Sequence, residues 1–306
     1  MFRTKPFHTL FILLLIFSLA ACLEQAPSKS NSSKTIQAKP RRSEADSLKA
    51  EQIKKIFYSL PSPMELTLLF KKEGVNYNSE KLHKTARRKE YVLPNKKALN
   101  LGVYGADLSY AGLFGRHEDA IDYFTCSQLM AEDLGVGQTF RKEFISRLEK
   151  NPNNRDTLLQ VISDFFLNND AYLKDQHRQD ISTSILIGGW VEGMFLGTKM
   201  HASEADPSGI ESIIAGQKHS LNNLLSLLEN RIENSPLVDS IELSLVTMSK
   251  HYEEINYPAQ STAKTSSTNQ KGELVLNTGQ EKVSISDSTL QKISKQVEIA
   301  RKYIVE

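Results

Sequence analysis

Residues 185–197 read ILIGGWVEGMFLG, and this stretch decides the fold. Four of its thirteen residues are glycine, and Glu192 is the only charged one. A helix that is apolar on nearly every side lies either in a membrane or inside a protein. Thirteen residues cover about 20 Å, well short of the roughly 30 Å of a bilayer core, and polar residues adjoin the stretch on both sides. We therefore predict a helix buried in the centre of a water-soluble helical domain.

A second stretch, ALNLGVYGADLSYAGLFG at 98–115, has the same apolar character. Glycines recur in both stretches: Gly102 and Gly105 in the second, and Gly189, Gly193 and Gly197 at intervals of four residues in the first. Each glycine in a helix interior costs up to about 1 kcal/mol relative to alanine. Close approach of a neighbouring helix offsets this cost, so the glycines predict tight helix packing. The alternative is that the missing side chains leave room for a ligand.

Each apolar stretch holds one acid in its middle, Asp107 or Glu192. Because an unpaired buried charge is very costly, each carboxyl group needs donors, a cation, water or a raised pKa. Lys199, about two turns from Glu192, is a candidate cation. The pattern favours separate internal hydrogen bonds that fix the helix register, and the alternative is one shared polar pocket. The candidate ligand-binding residues of that pocket are Asn100, Tyr104, Asp107, Tyr110, Trp190 and Glu192.

Apolar residues at spacings of three and four predict helices along most of the chain. One begins at Ser62 and Pro63, and others cover roughly 120–134, 140–148, 154–175, 210–232, 235–252 and 290–304. Short connections are typical of antiparallel neighbours. The predicted fold class is all-α, a multi-helix bundle of antiparallel amphipathic helices around the two apolar ones. Alternating residues on both sides of Asn277-Thr278-Gly279-Gln280 predict a small β-hairpin near the C-terminus.

The first 22 residues, MFRTKPFHTLFILLLIFSLAAC, combine a cationic start, an apolar run and small residues before Cys22. This is the pattern of a secretory signal peptide, and its apolar part is too short for a permanent span. The last four residues, Leu19-Ala20-Ala21-Cys22, resemble the bacterial lipobox. The resemblance implies cleavage before Cys22 and acylation of its thiol and its freed amine, which would anchor the protein in a membrane. Leu23 after the cysteine favours the periplasmic face of the outer membrane, within the cell envelope.

The sequence predicts five parts of the chain. Residues 1–21 are the signal peptide, and residues 22–45, which are polar and rich in Ser, Lys and Pro, form a disordered tether. Residues 46–257 form the helical bundle domain. Residues 258–272 are polar and of low complexity, which predicts a flexible loop. Residues 273–306 form the short hairpin and a C-terminal helix that packs on the bundle.

Three parts of the chain resemble an uncharacterised helical lipoprotein family of Bacteroidota. They are the lipobox, residues 98–124 and the segment GGWVEGMFLGTKM at 188–200. The resemblance extends over roughly residues 60–255. It implies an envelope location and a helical fold, and it implies no catalytic residues.

Charge and cysteine content narrow the class of partner. The chain has 38 Lys and Arg against 36 Asp and Glu, and removal of the signal peptide with Arg3 and Lys5 would leave equal numbers. The counterion release that drives nucleic-acid binding is then absent, so we expect no nucleic-acid partner. With Cys22 acylated, Cys126 has no partner for an internal disulfide, and its helical surroundings predict a small buried hydrophobic residue.

Known catalytic and metal-binding patterns are missing from the sequence. It has no phosphate-binding loop, nucleophile elbow or HExxH motif. A di-iron bundle needs two Glu-x-x-His pairs on inward-facing helices, and only one such pair, Glu80-Lys81-Leu82-His83, fits. The sequence therefore predicts no cofactor, no metal and no catalytic residue. It favours a lipid-anchored module that binds or scaffolds an envelope protein. The alternative is a small-ligand receptor or enzyme with a buried carboxylate pocket of Asp107 and Glu192.

Overall fold

Helices dominate the part of the chain that the computed structural model describes, namely residues 63–136, 146–147, 150, 154–231, 235–257, 265–268, 274–277 and 283–306. These residues form nine α-helices: α1 Pro63–Lys72, α2 Pro94–Leu113, α3 His117–Asp133, α4 Arg155–Asp175, α5 Gln179–His201, α6 Ser208–Ala215, α7 Lys218–Glu229, α8 Pro236–Tyr252 and α9 Asp287–Val305. Two 3₁₀ helices, Ser79–Lys81 and Thr85–Glu90, lie between α1 and α2. The fold is all-α, as predicted. The predicted signal peptide, Cys22, the tether and most of the predicted helix at 140–148 lie outside the described residues.

The two apolar stretches form α2 and α5, and both helices are largely buried. In α2 every residue from 98 to 113 is buried. Pro94 is the first residue of α2, where its fixed φ suits a helix start. The chain leaves α2 at Gly115, whose φ of +70° is a left-handed conformation that glycine adopts at little cost. Within the described ranges, no helix is both long and apolar enough to cross a membrane.

α2 and α5 touch through their backbones. A Cβ atom on Gly188 would lie 1.8 Å from the carbonyl oxygen of Leu99. A Cβ atom on Gly102 would lie 2.0 Å from the carbonyl oxygen of Ile185. Because no side chain fits in either position, the prediction of tight helix packing is confirmed, with Gly188 rather than Gly189 at the closest approach.

The remaining helices pack against these two and against one another. α1 contacts both α2 and α5, where Gly193 accommodates Leu66 and Gly197 accommodates Phe70. α3 packs on α2, α4 on α2 and α5, and α9 on α5, α2 and α8. Since both glycines face buried side chains of α1, helix packing accounts for them without a ligand.

The predicted helix at 210–232 is two helices in the structure. α6 ends at Ala215 and α7 begins at Lys218, with Gly216 and Gln217 between them. The N–H of Gln217 donates to the carbonyl oxygen of Ile214, only three residues back, which is a tighter turn than an α-helix makes. The prediction of one long helix is wrong because apolar spacing continues across the break, while Gly216 has a low helix propensity.

The predicted hairpin around Asn277 and Gly279 is not confirmed. Strand β2, Leu274–Asn277, pairs antiparallel with β1, Thr265–Thr268, and the register places Thr265 opposite Asn277. Residues 265–268 belong to the range predicted as a loop, and residues 283–286 are not a strand. Two of the four residues of β1 are Thr, which fits a strand well. The segment was predicted as a loop because it is polar.

Candidate functional site

A buried ion pair joins α5 to α9. Glu192 of α5 is fully buried, and Arg301 of α9 binds both of its carboxylate oxygens. Arg301 Nε donates to Oε2 at 2.6 Å, and Nη2 donates to Oε1 at 2.9 Å. The guanidinium carbon also lies 4.0 Å from the ring centroid of Phe195. Bidentate arginine–carboxylate pairs are strong and geometrically specific, so this pair fixes the position of α9 on α5.

Asp107 of α2 interacts electrostatically with Glu192, whose negative charge raises the pKa of Asp107. It is also fully buried, and its Oδ2 accepts the backbone N–H of His83 at 2.9 Å. Within the described residues, Oδ1 of Asp107 accepts no hydrogen bond, so this oxygen is available to carry a proton. We call Asp107, Glu192 and Arg301 the buried carboxyl cluster.

We expect the two acids of the buried carboxyl cluster to share one proton. Two carboxylates in contact cannot both ionise without a large electrostatic cost. Burial, and then the negative charge of Glu192, raise the pKa of Asp107 well above its ordinary value. Burial also raises the pKa of Glu192, but Arg301 acts on that pKa in the opposite direction. We therefore expect Asp107 to hold the proton, with the charge of Glu192 balancing that of Arg301.

A second set of polar contacts leads from Asp107 to the end of α9. His83 Nε2 lies 2.6 Å from the hydroxyl oxygen of Tyr91, which donates to the carbonyl oxygen of Val305 at 3.1 Å. Since the hydroxyl proton of Tyr91 goes to Val305, His83 carries its own proton on Nε2. Burial, together with the positive charge of Arg301, lowers the pKa of His83 to about 3. His83 is therefore neutral, and the fully buried ring of Tyr104 packs 5.2 Å from it.

Side chains at the start of α2 hold the end of α9. Asn100 Nδ2 donates to the carbonyl oxygen of Ile304 at 2.8 Å, and Lys96 Nζ donates to that of Tyr303 at 2.7 Å. The last carbonyls of a helix have no partner within the helix. Asn100 and Lys96 therefore cap α9 and hold it against α2.

The other two predicted pocket residues make hydrogen bonds and ring contacts with residues outside the buried carboxyl cluster. Tyr110 stacks on Tyr77 with 4.9 Å between ring centroids. Trp190 donates its Nε1–H to Gln217 Oε1 at 3.3 Å. Of the six predicted residues, the structure brings together Asp107, Glu192 and Tyr104, and it places Asn100, Tyr110 and Trp190 in three other sets of contacts.

Sequence reasoning missed the cation of the buried carboxyl cluster. Lys199, the predicted candidate, pairs with Glu298 instead. Arg301 lies four residues after Val297 and three before Ile304, both of which are fully buried. A cation on an apolar helix face needs a buried partner, and this position was the signal that could have identified Arg301.

A cavity of about 230 Å³ opens where α5 ends and α9 begins. Residues of both helices line it, among them Thr198, His201, Asp287 and Ser294. His201 Nε2 lies 3.0 Å from Glu211 Oε1. Neither carboxyl group of the buried carboxyl cluster lines this cavity, so it is not the predicted shared pocket.

The Asp107→Asn variant is expected to gain stability over the wild type as the pH rises. Because its folded pKa is raised, Asp107 keeps its proton at pH values above 3.8 at which the unfolded chain releases it, so the contribution of Asp107 to wild-type stability falls with rising pH. Asparagine has no proton to lose, and its amide can still donate to Glu192. The difference in the free energy of unfolding between Asp107→Asn and the wild type should widen by up to about 1.4 kcal/mol per pH unit, until the pH passes the pKa of Asp107 in the folded protein.

Urea unfolding at a series of pH values measures this difference. Asp122→Asn, at an exposed position of α3, is the control and should leave the pH dependence unchanged. Parallel pH curves for the wild type and Asp107→Asn would show that Asp107 does not hold the shared proton.

No protein-family model, curated protein or solved structure matches this chain. Its function is therefore inferred from its own residues and their geometry.

Proposed function

We propose that the chain is a lipid-anchored protein of the cell envelope whose helical bundle binds or scaffolds a protein partner and is not an enzyme. In this proposal antiparallel amphipathic helices surround α2 and α5. The anchoring part rests on the cationic start, the apolar run and Leu19-Ala20-Ala21-Cys22. Stable anchoring takes more than one acyl chain, which agrees with acylation of both the thiol and the amine of Cys22. The periplasmic face of the outer membrane is the proposed location.

One observation carries the non-catalytic part of the proposal: Arg301 engages both oxygens of the fully buried Glu192. A catalytic acid or base must come within hydrogen-bonding distance of its substrate. In the buried carboxyl cluster, Arg301 occupies both oxygens of Glu192, and Asp107 accepts the backbone N–H of His83. This arrangement supports a structural role, in which the cluster holds α2, α5 and α9 in one register.

A small-ligand receptor or enzyme that uses Asp107 and Glu192 is the second candidate. The raised pKa of Asp107 favours it, because an acid that keeps its proton is suited to general acid catalysis. Crosslinking and pull-down from native envelopes distinguish the two candidates. A scaffold keeps its protein partner in the Asp107→Asn variant, whereas a site built on Asp107 loses its ligand or its turnover.

The Cys22→Ser variant is expected to lose both acylation and cleavage of the leader. The serine hydroxyl cannot replace the thiol that receives the lipid, and cleavage follows lipid attachment. Mass spectrometry of the protein from membrane fractions should find an acylated N-terminal Cys22 in the wild type and an uncut, unmodified leader in the variant. Cys126→Ser is the control and should be acylated like the wild type. An unmodified, uncut wild-type leader would contradict the anchor.

A further inference from the structure

Residues 80–97, which we call the basic segment, are rich in positive charge. The segment holds seven Lys and Arg against two Glu, a net charge of +5 with His83 neutral. The whole chain has a net charge of +2, so the remaining residues carry −3. The near-neutral total charge of the chain therefore does not reveal this strongly cationic segment.

Three lysines of the basic segment present their charge to solvent. Arg87 pairs with Glu90, and Arg88 and Lys97 both pair with Asp133. By contrast, Lys81, Lys84 and Lys89 are exposed and form no ion pair within the described part of the chain. Their charges are available to an anionic partner.

Two apolar side chains project from the same segment. Val92 is 76% exposed and Leu93 is 65% exposed, between the cations of the 3₁₀ helices and those of α2. The backbone on either side is held in place, because Tyr91 is buried against His83 and Val305 and Pro94 begins α2. The exposed aliphatic pair Val92 and Leu93 is therefore held between two fixed points of the backbone.

The last turn of α9 contacts the basic segment at Tyr91 and Lys96. Lys96, three residues after Leu93, donates to the carbonyl oxygen of Tyr303, and the Tyr303 side chain is 44% exposed. A tyrosine with an apolar ring and a polar tip suits the boundary between water and lipid. Exposed lysines, two aliphatic side chains and a tyrosine are the composition of a surface that lies on a bilayer.

We infer that the basic segment docks on an anionic phospholipid bilayer, with Val92 and Leu93 among the headgroups and Lys81, Lys84 and Lys89 against the phosphates. This inference rests on the proposed lipid anchor, which would keep the body within reach of the bilayer. Each lysine near an anionic surface strengthens attachment about fivefold. Aliphatic side chains between the cations favour a bilayer over a nucleic acid, whose binding uses charge and aromatic stacking.

The test uses the full mature chain as isolated from membranes, reconstituted in vesicles of equal parts phosphatidylglycerol and phosphatidylcholine or of phosphatidylcholine alone. The Val92→Trp variant places an indole at the proposed contact, and brominated phospholipids quench an indole that enters the bilayer. We expect quenching in the anionic vesicles and much less in the neutral ones. Leu243→Trp on α8, where Leu243 is 68% exposed, is the matched control and should stay unquenched. The native Trp190 is buried and contributes the same background fluorescence to both Trp variants.

Charge is tested by adding Lys84→Gln and Lys89→Gln to Val92→Trp. The ratio of docked to undocked protein, taken from the quenching, should fall roughly 25-fold for the pair. High salt should produce a similar loss, because it screens exposed charges. A ratio unchanged by both treatments would overturn the docking inference.

Flotation of the same samples separates the two proposals. Protein that stays on the vesicles in high salt, without quenching of Val92→Trp in either lipid mixture, overturns docking and leaves the anchor intact. Protein that leaves the vesicles in high salt, but shows quenching at low salt, supports docking and contradicts the anchor. Binding of duplex DNA in preference to anionic vesicles would also overturn the inference.

Discussion

The Arg301→Met variant is expected to lose about 3–5 kcal/mol of the free energy of unfolding. Arg301 supplies the positive charge that balances Glu192, and Glu192 is fully buried. Without Arg301, Glu192 either stays charged in an apolar interior or takes up a proton, and both outcomes cost stability. Methionine keeps an apolar stem of similar length, so the change isolates the loss of the charge. Urea unfolding at neutral pH measures the difference.

A double variant separates the missing charge from the missing contact. Arg301→Met combined with Glu192→Met replaces the whole pair by apolar side chains, and it should recover most of the lost stability. Lys302→Met is the surface control, because Lys302 and its partner Glu306 are 70% and 60% exposed and such pairs contribute little. Equal losses in the single and double variants would show that packing, not charge, is the function of Arg301.

The Gly188→Ala variant is expected to lose at least about 3 kcal/mol, the upper end of the usual range for overpacking. The added Cβ would lie 1.8 Å from the carbonyl oxygen of Leu99. This oxygen belongs to the backbone of α2, so the clash can be relieved only by moving one central helix away from the other. Thermal and urea unfolding measure the loss, and near-ultraviolet circular dichroism reports the changed packing around Trp190.

Gly209→Ala is the matched control for Gly188→Ala. Its added Cβ would lie 1.6 Å from Glu73 Oε2, an equally short distance. Glu73 is an exposed, flexible side chain that can turn away, and alanine favours the helix by up to about 1 kcal/mol. We expect no loss of stability at Gly209. A similar loss at both positions would mean that the backbone contact of α2 and α5 is not the cause.

The all-α class and the two buried helices could be predicted from the sequence, because periodic apolar residues and interior glycines are local patterns. For example, Gly193 predicts a closely packed neighbouring helix, and Glu192 predicts a buried partner for its charge. The identity of that partner is not local. Arg301 lies 109 residues after Glu192, and only the packing of α9 on α5 brings the two together.

The errors of prediction also have local physical causes. The break at Gly216 leaves the apolar spacing of α6 and α7 unchanged, so periodicity could not reveal it. Strand β1 is composed of Thr and Ser without an apolar side chain, so the alternation that marks a strand is missing. The contact of the His83 backbone N–H with Asp107 was also missed, because no side-chain pattern encodes it.

The late position of Arg301 in the chain has a consequence for the order of folding. Until α9 has emerged, the acid pair between α2 and α5 has no balancing charge, and the central helices cannot close without a large energetic cost. We expect the chain to remain loosely folded while its earlier parts are synthesised and to collapse cooperatively once its final helix arrives. Under the proposed envelope location, such a delay would keep the chain unfolded until it has been exported.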